Sequence, residues 1–390
     1  MNPLNPRRAA IFGAGAFGSW TALELARRGA LVELFDGWGA GNPRASSGGE
    51  TRVIRATYGS HAVYTRMAAR ALALWRNHER RYGQGLLRTS GALWLFHRVE
   101  PFAAASAAAL RAVGLHLDEL DLIEARRRYP QIDFSGVASV LFEPDAGYLF
   151  ASRACRHVVS CLVAEGGRYV QAAAVPPLQI GGPVERVALS DGSSVEADVF
   201  VFACGPWLGS IFPDVIGSLV TATRQEVHYF GPPPGDTRFN DDRLPVWLDF
   251  GERFMYGIPS VADGGFKVAD DTPGPPMDPT TDDRVPGVER VAAIRSFLKK
   301  RFPALGDAPL VRSEVCQYEN TPDANFIIDR HPAASNVWIV GGGSGHGFKM
   351  GPAIGEIVAA QVLGESEPDP TFGLARFTSP PAGGWAAKWS

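Results

Sequence analysis

Residues 9–36, AAIFGAGAFGSWTALELARRGALVELFD, constrain this chain more than any other stretch. A short apolar run leads into glycines at 13, 15 and 18. An amphipathic helical pattern follows and is closed by Gly29, and a second apolar strand ends on Asp36. Each glycine has its own mechanical reason: Gly13 permits a tight turn, Gly15 lets the backbone approach a pyrophosphate, and Gly18 lets the helix pack closely. The helix turns its positive end toward the phosphates. Asp36, 23 residues after Gly13, stands where a carboxylate takes the ribose hydroxyls of an adenosine. The pattern predicts a βαβ dinucleotide-binding unit and an α/β fold class.

NAD and FAD use the same turn, so the following residues matter. A NAD dehydrogenase usually continues at once with further αβ units. Residues 37–59, GWGAGNPRASSGGETRVIRATYG, instead form a long polar loop, and a loop of that length inside a compact domain is usually functional. Beyond it, MAARALALWRNHERRYG reads as an amphipathic helix, GALWLF as a strand, and residues 102–130 as a helical stretch ending before Pro130. Residues 166–207 read as strands with a hairpin around SDGSS. The proline- and aromatic-rich residues after Trp207 predict an antiparallel cap. NVWIVGGGSGHGFKMGPAIGEIVAAQVLG then returns to strand, glycine loop and helix, so two domains interleave along the 390-residue chain. The Pro/Ala/Gly-rich residues after Pro368 are expected to lie on the surface.

A formal net charge of -3 with 20% charged residues gives no reason to expect nucleic acid or an anionic membrane as partner. Apolar runs are broken well short of a membrane span, and a cytoplasmic protein is expected. Four cysteines, Cys155, Cys161, Cys204 and Cys316, lack metal-binding spacing, so neither a disulfide framework nor a metal site is expected. Cys204 falls in an apolar strand, and Cys155 and Cys161 share one helical pattern. Cys316, among polar residues in RSEVCQYENTPDANFIID, is the thiol best suited to chemistry.

Six separated segments, GAGAFGSW, GETRVIRATYG, FEPDAGYLF, ADVFVFACGPW, VCQYENTPDANFIID and GGGSGHGFKMGPAIGE, resemble the flavin-dependent amine and amino-acid oxidases of the monomeric sarcosine oxidase, N-methyltryptophan oxidase and pipecolate oxidase type. They keep the family's order over nearly the whole chain. The resemblance implies a glutathione-reductase-like FAD domain, from residues 1–85, 145–215 and 315–390, and an antiparallel-sheet substrate domain from residues 86–144 and 216–314. It implies FAD held covalently by Cys316, as a thioether to the 8α carbon of the ring.

By the same resemblance, Arg52 lies against the flavin with Thr51 beside it, and Lys267 stands near N5 and promotes reaction with oxygen. Arg55 and Lys349 hold a substrate carboxylate, as a guanidinium fork and a point charge. Val175 meets the adenine through its backbone, and Gly205 approaches the diphosphate. Gly343, Gly345 and Gly347 bring backbone N–H groups to the flavin pyrimidine, with Lys349 close behind. His346 is either a base or a loop-shaping residue at the flavin edge.

The chain departs from sarcosine oxidases where they touch substrate: Gly48 and Asp271 replace histidines, and Met255, with Tyr256 next to it, stands for the pocket tyrosine. These changes imply an enlarged site and a substrate larger than sarcosine, N-alkylated or cyclic, unless Asp271 is merely a turn residue. The expected protein is a monomeric oxidase of a secondary amine or amino acid, producing hydrogen peroxide. A flavin dehydrogenase with another acceptor, a NAD-binding reductase and a non-catalytic flavoprotein are the alternatives.

Overall fold

The computed structural model describes residues 7–98, 100–261 and 264–378. Its first sheet has six strands in the order Ile327–His331, Ala334–Gly341, Val199–Phe202, Arg8–Phe12, Leu31–Phe35, Arg168–Val170. All neighbours run parallel except the first pair, a hairpin. Parallel strands are covered on both faces, which is why AAIF and VFVF are continuous apolar runs rather than alternating ones. The helices Ala16–Arg27, Ala62–Tyr82, Ala151–Ala164 and Gly351–Val362 contribute residues to one core on this sheet, with Trp20, Trp75, Val158 and Ile354 inside it.

The second sheet has eight strands, in the order Leu310–Asn320, Thr221–Phe230, Phe266–Asp270, Phe254–Ile258, Val246–Phe250, Ala92–Phe96, Ser139–Glu143, Asp118–Leu120. Only the Val246–Phe250/Ala92–Phe96 pair is parallel. Phe266, Val268, Met255 and Trp247 pack with Ile294 and Leu298 of the helix Val288–Arg301. Their strand neighbours Lys267, Ala269 and Tyr256 point the other way, as the period of two requires. That helix ends on a buried Arg301, whose Nε donates to Asp249 Oδ2 at 2.6 Å. A small sheet of Thr51–Ile54, Gly147–Phe150 and Leu87–Arg88 completes the strands of the site.

Two expectations change. The stretch 102–130 is not one helix: Pro101–Ala112 is followed by Gly114 at φ 74, the edge strand Asp118–Leu120, and the helix Leu122–Arg128. Asp121 restarts the helix by accepting the Glu124 N–H at 2.8 Å. Asp121→Ala is expected to cost about 1 kcal/mol, read as a lower urea midpoint at unchanged slope. The start of the C-terminal tail does not lie wholly on the surface, because Phe372 enters the core and Arg376 pairs with Asp323 at 2.8 Å. Its remainder lies outside the described residues. Residues 315–320 lie in the long strand Leu310–Asn320 of the eight-stranded sheet. No described helix is long and apolar enough to cross a membrane.

Candidate active site

A cavity of about 360 Å³ extends from the N-terminal glycine turn to the strand Leu310–Asn320, and Gly13, Gly15, Asp36, Gly205, Gly343, Gly345 and Gly347 all line it. Gly13 has φ +102, and a Cβ there would stand 2.2 Å from the Ala203 carbonyl oxygen; a Cβ on Gly18 would stand 1.9 Å from the Gly13 oxygen. The turn therefore closes only with glycine at both places. The Asp36 carboxylate braces it, accepting N–H groups of Ala14 at 2.8 Å, Trp38 at 2.9 Å and Gly39 at 2.8 Å. Burial nevertheless raises the Asp36 pKa above its ordinary value. Val175 is 44% exposed, and its neighbours Ala173, Ala174 and Pro176 line the cavity.

Glu319 also lines this cavity, and the sequence pattern gave it no role. It is 6% exposed, its Oε2 accepts the Gly343 N–H at 3.5 Å, and its Oε1 has no hydrogen-bond partner. Burial pushes its pKa to about 7 against the pull of the Gly342 and Gly343 N–H groups. A signal was available: Val315, Gln317 and Glu319 alternate on one face of their strand, where an acidic residue is out of character. An orphaned carboxyl beside a glycine-lined cavity fits a hydroxyl-rich dinucleotide, whose hydroxyls would supply the missing partner.

At the other end, one peptide gathers three candidate residues. The Thr51 carbonyl accepts Lys267 Nζ at 2.8 Å and Arg52 Nη1 at 2.8 Å, and Arg52 Nη2 donates to Cys316 Sγ at 3.1 Å. Lys267 is 2% exposed, and burial, then the Arg52 charge, lower its pKa to about 7. Burial opposes the Arg52 charge too, but the fields of Cys316 and Tyr256 outweigh it and raise its pKa. Cys316 is half-buried and does not itself line the cavity, whereas Arg52, which donates to its sulfur, does.

A second cavity, of about 60 Å³, is walled by Arg55, Lys349, Asp271, Tyr256 and His346, and shares Arg52, Tyr318, Gly345 and Phe348 with the first. Arg55 and Lys349, 5% and 4% exposed, meet over one ring: the guanidinium carbon is 4.3 Å and Nζ 5.1 Å from the Tyr58 centroid. Burial lowers the Arg55 pKa. Lys349 Nζ donates to the His346 carbonyl at 2.8 Å. His346 Nε2 is 3.0 Å from the Ala324 carbonyl, which only accepts, so Nε2 carries the proton and Nδ1 accepts from Tyr58 OH at 3.2 Å. Both nitrogens are engaged, and His346 acts as a strut of the loop.

Asp271 accepts the Tyr318 hydroxyl at 2.7 Å, while the adjacent Asp270 makes the turn by accepting the Thr272 N–H at 2.9 Å. Asp271 is therefore a cavity wall rather than a turn residue. Two other expected substrate contacts are not brought here. Met255 points into the core under the helix Val288–Arg301, because its strand neighbour Tyr256 holds the cavity side. Gly48 lines neither cavity; a Cβ there would stand 1.8 Å from the Asn42 carbonyl oxygen, so no side chain fits.

The family model of DAO, FAD dependent oxidoreductase, matches residues 8–361. The chain belongs to this family. It is 29% identical over 364 residues to a monomeric sarcosine oxidase of Bacillus sp. (strain B-0618), covering 92% of this chain and 93% of the relative. It is 26% identical over 376 residues to the N-methyl-L-tryptophan oxidase of Yersinia pestis, covering 94% and 98%. In fold it matches the L-proline dehydrogenase of P. horikoshii, with TM-score 0.83, 22% identity and coverage of 96% and 98%. A fructosamine oxidase of Aspergillus fumigatus matches with TM-score 0.79, 22% identity and coverage of 95% and 89%. This DAO-family chain is an FAD-dependent oxidoreductase of the amine and amino-acid oxidase type, and FAD is its cofactor.

Proposed function

We propose that the protein oxidises the C–N bond of a secondary amino acid to an imine, with oxygen reduced to hydrogen peroxide. The observation that carries this is the small cavity with two buried cations at one side and Asp271 in its wall, sharing Arg52, Tyr318 and Gly345 with the dinucleotide cavity. FAD bound there would take two electrons from the substrate and deliver them to oxygen. Gly13, Gly15, Asp36 and Gly205 would hold its adenosine and diphosphate part, and Gly343, Gly345, Gly347 and Thr51 its ring. Cys316 would anchor the ring covalently, with Arg52 orienting the sulfur.

Arg55 and Lys349 would bind the substrate carboxylate by charge-assisted hydrogen bonds, fixing the C–N bond against the ring. Lys267 would supply positive charge where negative charge develops during oxygen reduction. The names of relatives and fold neighbours mention sarcosine, N-methyl-L-tryptophan and L-proline, all secondary amines. Gly48 and Met255 lend no support to an enlarged site. The case for a substrate beyond sarcosine rests on Asp271, which would receive a polar or cationic arm on an N-alkylated or cyclic amino acid. We take the protein to be a cytoplasmic monomer whose partners are this small molecule and oxygen.

Two assays test this. Acid-precipitated wild-type protein should keep its yellow colour in the pellet and Cys316→Ser should release it. A panel of amino acids assayed for peroxide should rank N-alkylated or cyclic ones above sarcosine and glycine. Colour released by both proteins would remove the covalent link, and sarcosine leading the panel by a wide margin would remove the larger substrate.

A further inference from the structure

We infer that His78, His157 and Cys161 form a binding site for a single Zn²⁺ ion that ties the helix Ala62–Tyr82 to the helix Ala151–Ala164. One ring nitrogen from each histidine and Cys161 Sγ all lie within 4.8 Å of one another. His157 and Cys161 are four residues apart on one helix, hence on one face, and their Nε2 and Sγ are 3.4 Å apart. Tetrahedral zinc, with bonds of about 2.0–2.1 Å to nitrogen and about 2.3 Å to sulfur, sets such a pair about 3.5 Å apart. His78 comes from 79 positions earlier in the chain, so sequence spacing could not reveal the set.

The second observation is His78 itself. It is 5% exposed, and its Nε2 has no hydrogen-bond partner. Its ring is boxed by Trp20 at 4.9 Å, Tyr82 at 4.6 Å and His157 at 5.0 Å between centroids. An unpartnered buried nitrogen is costly, and a metal bond answers that cost. Two imidazoles and a thiol, with no carboxylate among them, select a borderline-soft cation rather than Mg²⁺ or Ca²⁺. Around the set, Tyr82 OH donates to Glu165 at 3.0 Å, and Arg27 Nη2 donates to Tyr82 OH at 3.2 Å.

Binding exchanges the Cys161 S–H bond for a Zn–S bond and releases that proton to solvent; nothing is oxidised or reduced. Three protein ligands leave the fourth position to water, and the half-buried His157 offers the entry side. The site uses none of the residues assigned to FAD or substrate, so its test is independent of the oxidase proposal.

The test takes full-length flavin-loaded protein, strips metals with a chelator, adds zinc chloride and passes the sample through gel filtration before elemental analysis. Wild type should retain about one equivalent of zinc and melt several degrees higher than the stripped protein. Cys161→Ser and His157→Gln, the second at a half-buried position chosen to preserve the fold, should each lose both the zinc and the shift. Less than stoichiometric retention by wild type, or full retention by both variants, would overturn the site.

Discussion

Replacing Lys267 with methionine is expected to slow reoxidation of the protein by oxygen about 10²–10³-fold, with reduction by substrate changed much less. Methionine keeps the apolar stem and removes only the charge. The effect is large because Lys267 is buried and its Nζ is fixed on the Thr51 carbonyl at 2.8 Å, so water cannot replace it. Burial and the Arg52 charge lower its pKa to about 7. The ammonium is thus present below that pH and lost above it. Oxygen reactivity of wild type should fall as pH rises through about 7, with the limb moved upward by any anion bound beside it, and the variant should show no such limb. Stopped-flow mixing of anaerobically reduced protein with aerated buffer measures both. Unchanged rates would move oxygen activation away from Lys267 and favour a different acceptor.

Arg55→Leu is expected to lower kcat/KM for amino-acid substrates about 10²–10³-fold, the loss that follows when one partner of a buried charged pair is truncated. The matching amine without its carboxylate should react poorly but equally with wild type and variant. That comparison separates carboxylate recognition from a general collapse of the cavity. It matters here because Arg55 also packs on Tyr58 and Trp94 and donates to the Thr57 carbonyl. Equal losses for both substrates would assign Arg55 a structural role. Lys349 offers a weaker version of the same test, since its backbone carbonyl is held by Trp75 Nε1 at 2.9 Å and anchors the loop.

What was legible in the sequence was local or carried by whole motifs. The glycine turn and its helix could be read because steric demands act within one βαβ unit, whereas the bracing of that turn by Asp36 was not anticipated. The hairpin at Asp191 followed from turn chemistry, and Arg186 pairs with Glu196 in the register that this turn sets. Strand parity was not legible at residues 255 and 256, where two adjacent bulky side chains fit either face and only the helix behind the sheet decides. Gly48 resembled a vacated position, yet the Asn42 carbonyl fills its space. His78 gained significance only through residues distant in sequence, His157 and Cys161, whereas Glu319 stood out locally on the buried face of its strand and only its link to the cavity depended on the distant Gly342–Gly343 amides.

The oxidase proposal is tested most directly by adding a cyclic or N-alkylated amino acid to the yellow protein without oxygen and then admitting air. The flavin absorbance should bleach at a rate that rises with substrate concentration. It should return in air with about one peroxide formed per substrate consumed. Bleaching that air fails to reverse, but a quinone does, would make the protein a dehydrogenase. Absorbance unmoved by any amine or amino acid would contradict C–N oxidation itself.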